Sequence, residues 1–82
     1  MKLIATPLAI FIFEFKDNML TLELYSIINK SISYILTINS DKPNESQTYE
    51  LREGDKVRVI YGNPKTEKQV LANLKRDGFK VI

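Results

Sequence analysis

Residues 56–82, KVRVIYGNPKTEKQVLANLKRDGFKVI, carry the signals that decide the fold. Over residues 56–61, valine and tyrosine alternate with lysine, arginine and isoleucine, which predicts a strand with one strongly apolar face. Val70, Leu71 and Leu74 then recur at helical spacing, which predicts an amphipathic helix. Residues 79–82 predict a second strand, so the stretch is a strand–helix–strand unit.

The helix carries capping signals at both ends. Asn63 is a good N-cap, because its side-chain oxygen can accept a free backbone N–H of the first turn, and Pro64 suits the first helical position. Gly78 provides the left-handed residue of a C-cap, after which Phe79 can fold back onto Leu74. A helix of about 14 residues is only marginally stable alone in water, so we expect it to dock on a sheet. If the flanking strands pair in that sheet, they are parallel and joined by a right-handed crossover.

The first half of the chain predicts antiparallel strands. In residues 8–16 the three phenylalanines share one face and Ile10 and Ile12 the other, which is typical of a central strand covered on both sides. Residues 20–28 and 32–39 alternate apolar and polar side chains, which predicts two further strands.

A helix over residues 20–38 is the rival interpretation, but the β-branched residues and the strict alternation favour strands. Residues 2–4 and 48–51 predict shorter strands, and the polar residues 40–47 predict a surface loop. The order of elements is then β-β-β-(β)-β-α-β. We predict a single α+β domain over residues 1–82, with a mostly antiparallel sheet that is open or curled into a small barrel. The C-terminal helix packs on that sheet and a short strand follows it.

Composition excludes several kinds of functional site. The chain has no cysteine and no histidine, which removes disulfides, thiolate metal sites and the commonest general base. Glu14 and Glu23 lie on adjacent predicted strands, but acid–base chemistry needs carboxylates in a dry pocket, and here we expect solvated charges. The net charge of +2 is a weak indicator of an anionic partner. We therefore predict no enzymatic activity, no cofactor, no metal and no small-molecule substrate.

The apolar run at residues 8–13 lies near the N-terminus, where a signal peptide would be found. It is short, Pro7 interrupts it, and no small-residue cleavage site follows. No stretch approaches the run of about 18 apolar residues that a membrane-spanning helix needs. We therefore predict a strand here, and a cytoplasmic protein that does not bind membranes.

A basic and aromatic set of residues is the candidate binding surface. If the helix covers the face that bears Val57 and Val59, then Lys56, Arg58 and Ile60 point to the other face. Aromatic rings beside cations are typical of sheets that bind single-stranded nucleic acid. The candidate nucleic-acid or partner surface consists of Lys16, Tyr25, Lys30, Lys56, Arg58 and Ile60.

Isoleucines favour a protein partner instead. Ile10, Ile12, Ile27, Ile35 and Ile60 all fall on the predicted side opposite the helix, where they would form too large a patch for a solvated sheet. Closure into a barrel, a second layer of strands or another subunit would cover them. We therefore predict a non-enzymatic interaction or structural module that forms a homodimer or binds a protein partner through its sheet face. The alternative is a nucleic-acid-binding module that uses the basic and aromatic surface.

Overall fold

The computed structural model describes residues 2–29, 31, 33–39, 46–59 and 66–82. Its elements in chain order are β1 (Lys2–Ala5), β2 (Ala9–Lys16), β3 (Met19–Ile27), β4 (Tyr34–Asn39), β5 (Ser46–Leu51), β6 (Lys56–Val59), α1 (Glu67–Arg76) and β7 (Lys80–Val81). The predicted α+β class is confirmed, with mostly antiparallel strands, one C-terminal helix and a short final strand. The sheet is open and not closed into a barrel. Most of residues 20–38 lie in β3 and β4, so the helical alternative is wrong.

The strands form two antiparallel sheets. Five strands make the larger sheet, in the order β6-β3-β2-β1-β7, and β4 pairs with β5 separately. The strands that flank the helix in sequence, β6 and β7, run in the same direction at opposite edges of the larger sheet. They share a sheet but are not neighbours, because the β1–β2–β3 meander lies between them.

One hydrophobic core lies between the larger sheet and a second layer made by α1 and the β4–β5 pair. Phe11 is fully buried, and its ring makes edge-to-face contacts with Tyr34 and Phe79, at centroid distances of 5.4 and 5.7 Å. Helix α1 contributes Val70 and Leu74. The remaining buried apolar side chains are Ile4, Ala9, Phe13, Leu20, Leu22, Leu24, Ile27, Leu36, Ile38, Leu51, Val57 and Val59.

Helix α1 begins at Glu67 rather than at Pro64. Thr66 is its N-cap: the backbone there is extended, and the side-chain oxygen accepts a hydrogen bond from the backbone N–H of Gln69 at 3.2 Å. The prediction of Asn63 as N-cap of this helix is therefore wrong; Asn63 and Pro64 lie outside the described residues. The helix spans 10 residues, fewer than expected.

The C-terminal end of α1 is as predicted. Gly78 has a φ of 99°, and its N–H donates to the carbonyl of Lys75 at 3.1 Å. The N–H of Phe79 donates to the carbonyl of Leu74 at 3.0 Å. These two bonds make a Schellman cap, and both Phe79 and Leu74 are buried beside it.

A β-bulge in β3 changes which side chains face the core. Phe11 pairs with Leu24 and Ala9 pairs with Ile27, so two steps along β2 match three steps along β3, with Tyr25 as the extra residue. Ile27 is 8% exposed and belongs to the core. The prediction that Ile27 lies opposite the helix is therefore wrong, because the bulge moves it to the other face.

Candidate interaction surface

The larger sheet has a second face that points away from the core, which we call the outer face. Cross-strand partners share a face, so the register assigns its members. They are Leu3, Ala5, Ile10, Ile12, Glu14, Lys16, Met19, Thr21, Glu23, Ser26, Lys56, Arg58, Lys80 and Ile82. None of these side chains is buried, whereas α1 and the β4–β5 pair bury theirs on the core side. The described residues therefore leave the outer face open to solvent.

One half of the outer face is apolar. Ile12 stands opposite Leu3, and Ile10 stands opposite Ala5, across β2 and β1. Ile82 continues this surface at the β7 edge, where its N–H donates to the carbonyl of Leu3 at 3.0 Å and its side chain is 68% exposed. We call these five residues the apolar half. They form a contiguous patch over three neighbouring strands.

The other half of the outer face is charged. On β3 and β6, Glu23 stands opposite Lys56 and Thr21 opposite Arg58, and Glu14 lies beside Thr21 on β2. We call these five residues the charged half. The Nζ of Lys56 lies 3.7 Å from Oε2 of Glu23, with both side chains in contact with water. Such an exposed pair contributes little to the stability of the fold, so its two side chains can be displaced by a partner at small cost.

Three of the predicted surface residues lie on the outer face. Lys56 and Arg58 are neighbours in the charged half, because Val57 between them and Val59 after them are turned into the core. Lys16 lies at the end of β2 on the same face.

The register does not assign the other three predicted surface residues to the outer face. Tyr25 is the extra residue of the bulge and is 58% exposed. Lys30 and Ile60 lie outside the described residues.

The predicted isoleucine patch is partly wrong. Ile10 and Ile12 lie on the outer face, where both are half-buried, but Ile27 is in the core. Ile35 is 64% exposed on β4, which belongs to the other sheet. Ile60 lies outside the described residues.

Sequence reasoning missed three members of the apolar half: Leu3, Ala5 and Ile82. Leu3 and Ala5 belong to β1, which has four residues, and Ile82 directly follows β7, which has two. Segments this short show no hydrophobic period. Only the pairing of β1 with β2 and with β7 shows that their side chains join Ile10 and Ile12.

The two carboxylates of the outer face are both in contact with water. Glu14 is exposed, and Glu23 pairs with Lys56 in contact with water, as expected of solvated charges. Among the residues that the structure describes, no group of three or more acidic side chains comes together to hold a metal ion. The outer face thus presents half-buried apolar side chains beside exposed charges.

A cleft of about 220 Å³ lies at one end of the sheet, away from the outer face's centre. It is lined by Leu8, Ile27, Ile28, Asn29, Ser33 and Tyr34. The hydroxyl of Tyr34 donates to Oγ1 of Thr6 at 3.1 Å, which fixes one wall. Ligand pockets usually measure about 300–1,000 Å³, so this cleft is small for a ligand site.

Within the described part of the chain, no helix has the length and apolarity needed to cross a membrane. No protein-family model, curated protein or solved structure matches the chain.

Proposed function

We propose that this protein is a non-enzymatic interaction module that binds another protein surface through the outer face of its sheet, and that a second copy of the chain is the first such partner. The observation that carries the proposal is the apolar half. Its residues lie side by side across β2, β1 and the β7 edge, and none of them is fully buried by the described part of the chain. Contiguous exposed apolar surface of this kind marks interaction sites.

The mixed charges beside the apolar half suit a copy of the same chain. Lys56 and Arg58 share the outer face with Glu14 and Glu23. A face with both signs is not repelled by its own copy, whereas a strongly acidic partner would select a face of one sign.

The expected association is weak. If contact removes about 400 Å² of apolar surface from water, the gain is about 10 kcal/mol. Association itself costs about 4–15 kcal/mol in lost freedom of motion, so the two terms are of similar size. We therefore expect a dimer that dissociates on dilution.

Two isoleucine-to-lysine variants test the proposal. Ile12→Lys puts a charge in the apolar half, where Glu23 is its cross-strand partner, and Ile35→Lys puts the same charge on the other sheet, opposite Glu50. Sedimentation velocity over a wide concentration range should show a dimer for wild type and for Ile35→Lys, and a monomer for Ile12→Lys.

Circular dichroism should show that both variants stay folded, because each new lysine has a carboxylate opposite it. A wild-type protein that stays monomeric at the highest concentration rejects self-association. A dimer that survives Ile12→Lys rejects the outer face as the interface.

Nucleic-acid binding is the alternative function. It is favoured by Lys16, Lys56 and Arg58 lying on one face, and it is weakened by Glu14 and Glu23 standing among them. Titration with fluorescent single-stranded and duplex oligonucleotides at two salt concentrations tests it. Binding that falls steeply with salt and is lost in Lys56→Glu/Arg58→Glu would support the alternative, and no binding at low salt would reject it.

We place the proposed activity in the cytoplasm. Support comes from the apolar run at residues 8–13, most of which forms the central strand β2 with Phe11 and Phe13 in the core. Imaging of a fluorescent fusion carried at the C-terminus would check this location.

A further inference from the structure

We infer that the second copy stacks on the apolar half, through a two-fold axis that runs parallel to the strands over β1, and that the charged side chains of β3 and β6 stay in solvent in both copies. This arrangement rests on the proposed self-association and specifies its geometry. It predicts which strands of the two copies face each other.

The distribution of side chains across the sheet limits the overlap to three strands. From β6 to β7, one row of the outer face reads Lys56, Glu23, Ile12, Leu3 and Ile82. Lys56 and Glu23, at the polar end of this row, would lose their hydration if a second sheet covered them. Burying such charges without close partners lowers stability. Lys56 and Glu23 lie 3.7 Å apart, and both remain hydrated in the single chain. The second copy therefore gains most by covering the apolar side chains of β2, β1 and the β7 edge. Two exposed charges lie at the margin of this overlap, Glu14 towards the end of β2 and Lys80 on the edge strand β7, where a long side chain can keep its charged end in water.

Symmetry then selects the direction of the axis. Stacked sheets in a two-fold dimer are related by an axis that lies in the plane between them. An axis perpendicular to the strands would place β6 over β6 of the other copy, and so set Lys56 and Arg58 against the same two cations. An axis parallel to the strands over β1 instead places β2 over the partner's β7. Ile12 then faces Ile82 of the partner subunit, and Leu3 faces its own copy.

Pairing of the two β7 edges is the competing arrangement. It would extend the larger sheet through a strand of two residues, which offers few backbone hydrogen bonds. It would also leave Ile10 and Ile12 exposed in both copies. Stacking covers these side chains, so the positions of the apolar residues favour stacking over edge pairing.

A distance between two copies of one label tests the geometry. The chain has no cysteine, so Arg58→Cys creates a single site for a nitroxide, on an exposed position outside the inferred overlap. Strand β6 lies three strand spacings from β1. With spacings of about 4.8 Å and layers about 10 Å apart, the two labels should be about 30 Å apart. Double electron–electron resonance measures this distance.

Each outcome decides between the arrangements. An axis perpendicular to the strands brings the labels within about 20 Å, and pairing of the β7 edges separates them by nine strand spacings, about 43 Å. Either distance would overturn the inferred geometry while leaving self-association intact. The distance should disappear in Arg58→Cys combined with Ile12→Lys. If concentrated, labelled Arg58→Cys without further substitution gave no dipolar signal, and wild type sedimented as a monomer, self-association itself would be overturned.

Discussion

Leu74 shows how one side chain joins the helix to the sheet. It is 1% exposed and lies on the apolar stripe with Val70. Its carbonyl also accepts the hydrogen bond from Phe79 that closes the C-cap. Full burial of a leucine contributes about 1.5–3 kcal/mol, and a small domain has a net stability of only about 5 kcal/mol or somewhat more. A single core position therefore accounts for a large share of the stability.

We expect Leu74→Asp to unfold most of the protein, because it removes this apolar contact and buries an unpaired carboxylate. Ala72→Asp, at an exposed position of the same helix, is the matched control and should cost only about 0.7 kcal/mol, the difference in helix propensity between alanine and aspartate. Urea denaturation followed by circular dichroism measures both. A wild-type midpoint for Leu74→Asp would show that α1 does not dock through this residue.

At the scale of elements, the two ends of α1 differ in how well the sequence predicts them. The C-terminal end requires a residue with positive φ, and Gly78 meets that requirement locally. At the N-terminal end, Asn63 and Thr66 both have side chains that can cap a helix, so local chemistry does not choose between them. The choice depends on where Val70 and Leu74 must dock, which is a property of the whole core.

We expect Thr66→Ala to lower the free energy of unfolding by about 1 kcal/mol, because the backbone N–H of Gln69 loses its partner. Thr66→Ser keeps the hydroxyl and should retain most of the stability. Asn63→Ala tests the sequence-based prediction and should cost less than half as much as Thr66→Ala. Urea midpoints give the ranking, and the reverse ranking would mean that the cap lies at Asn63.

In the strands too, local sequence predicts some features, whereas others depend on the whole fold. The alternation in residues 20–38 was sufficient to predict strands rather than a helix, because β-branched residues and a period of two agree there. The bulge at Tyr25 was not predictable, since nothing in the alternation of β3 marks an extra residue. This one residue accounts for the misplacement of Ile27.

At the scale of the whole molecule, the order of strands was the least predictable feature. β1 and β7 are too short to show a period, yet β1 and the residue that follows β7 supply Leu3, Ala5 and Ile82 to the outer face. β4 and β5 read like members of the main sheet but form their own pair, which covers the core with Leu36, Ile38 and Leu51. The candidate surface could therefore be predicted as a face, but its division into halves required the sheet order.

Self-association would also change the stability of the whole molecule. Binding of a second copy stabilises the folded protein by mass action, so the Tm of wild type should rise by several degrees over a hundredfold increase in concentration. The Tm of Ile12→Lys should stay constant over the same range, and that of Ile35→Lys should rise like wild type. A constant Tm for wild type would contradict a dimer made by the folded state.

The strand order has a consequence for how the chain is made. Both edges of the β1–β2–β3 meander are closed by strands from the C-terminal third of the chain, β6 on one side and β7 on the other. During translation the meander leaves the ribosome first, and its unpaired edges can recruit strands from other nascent chains until residues 56–81 emerge. We therefore expect slow synthesis of residues 56–81 to favour aggregation, because until β7 pairs with β1 that edge stays open.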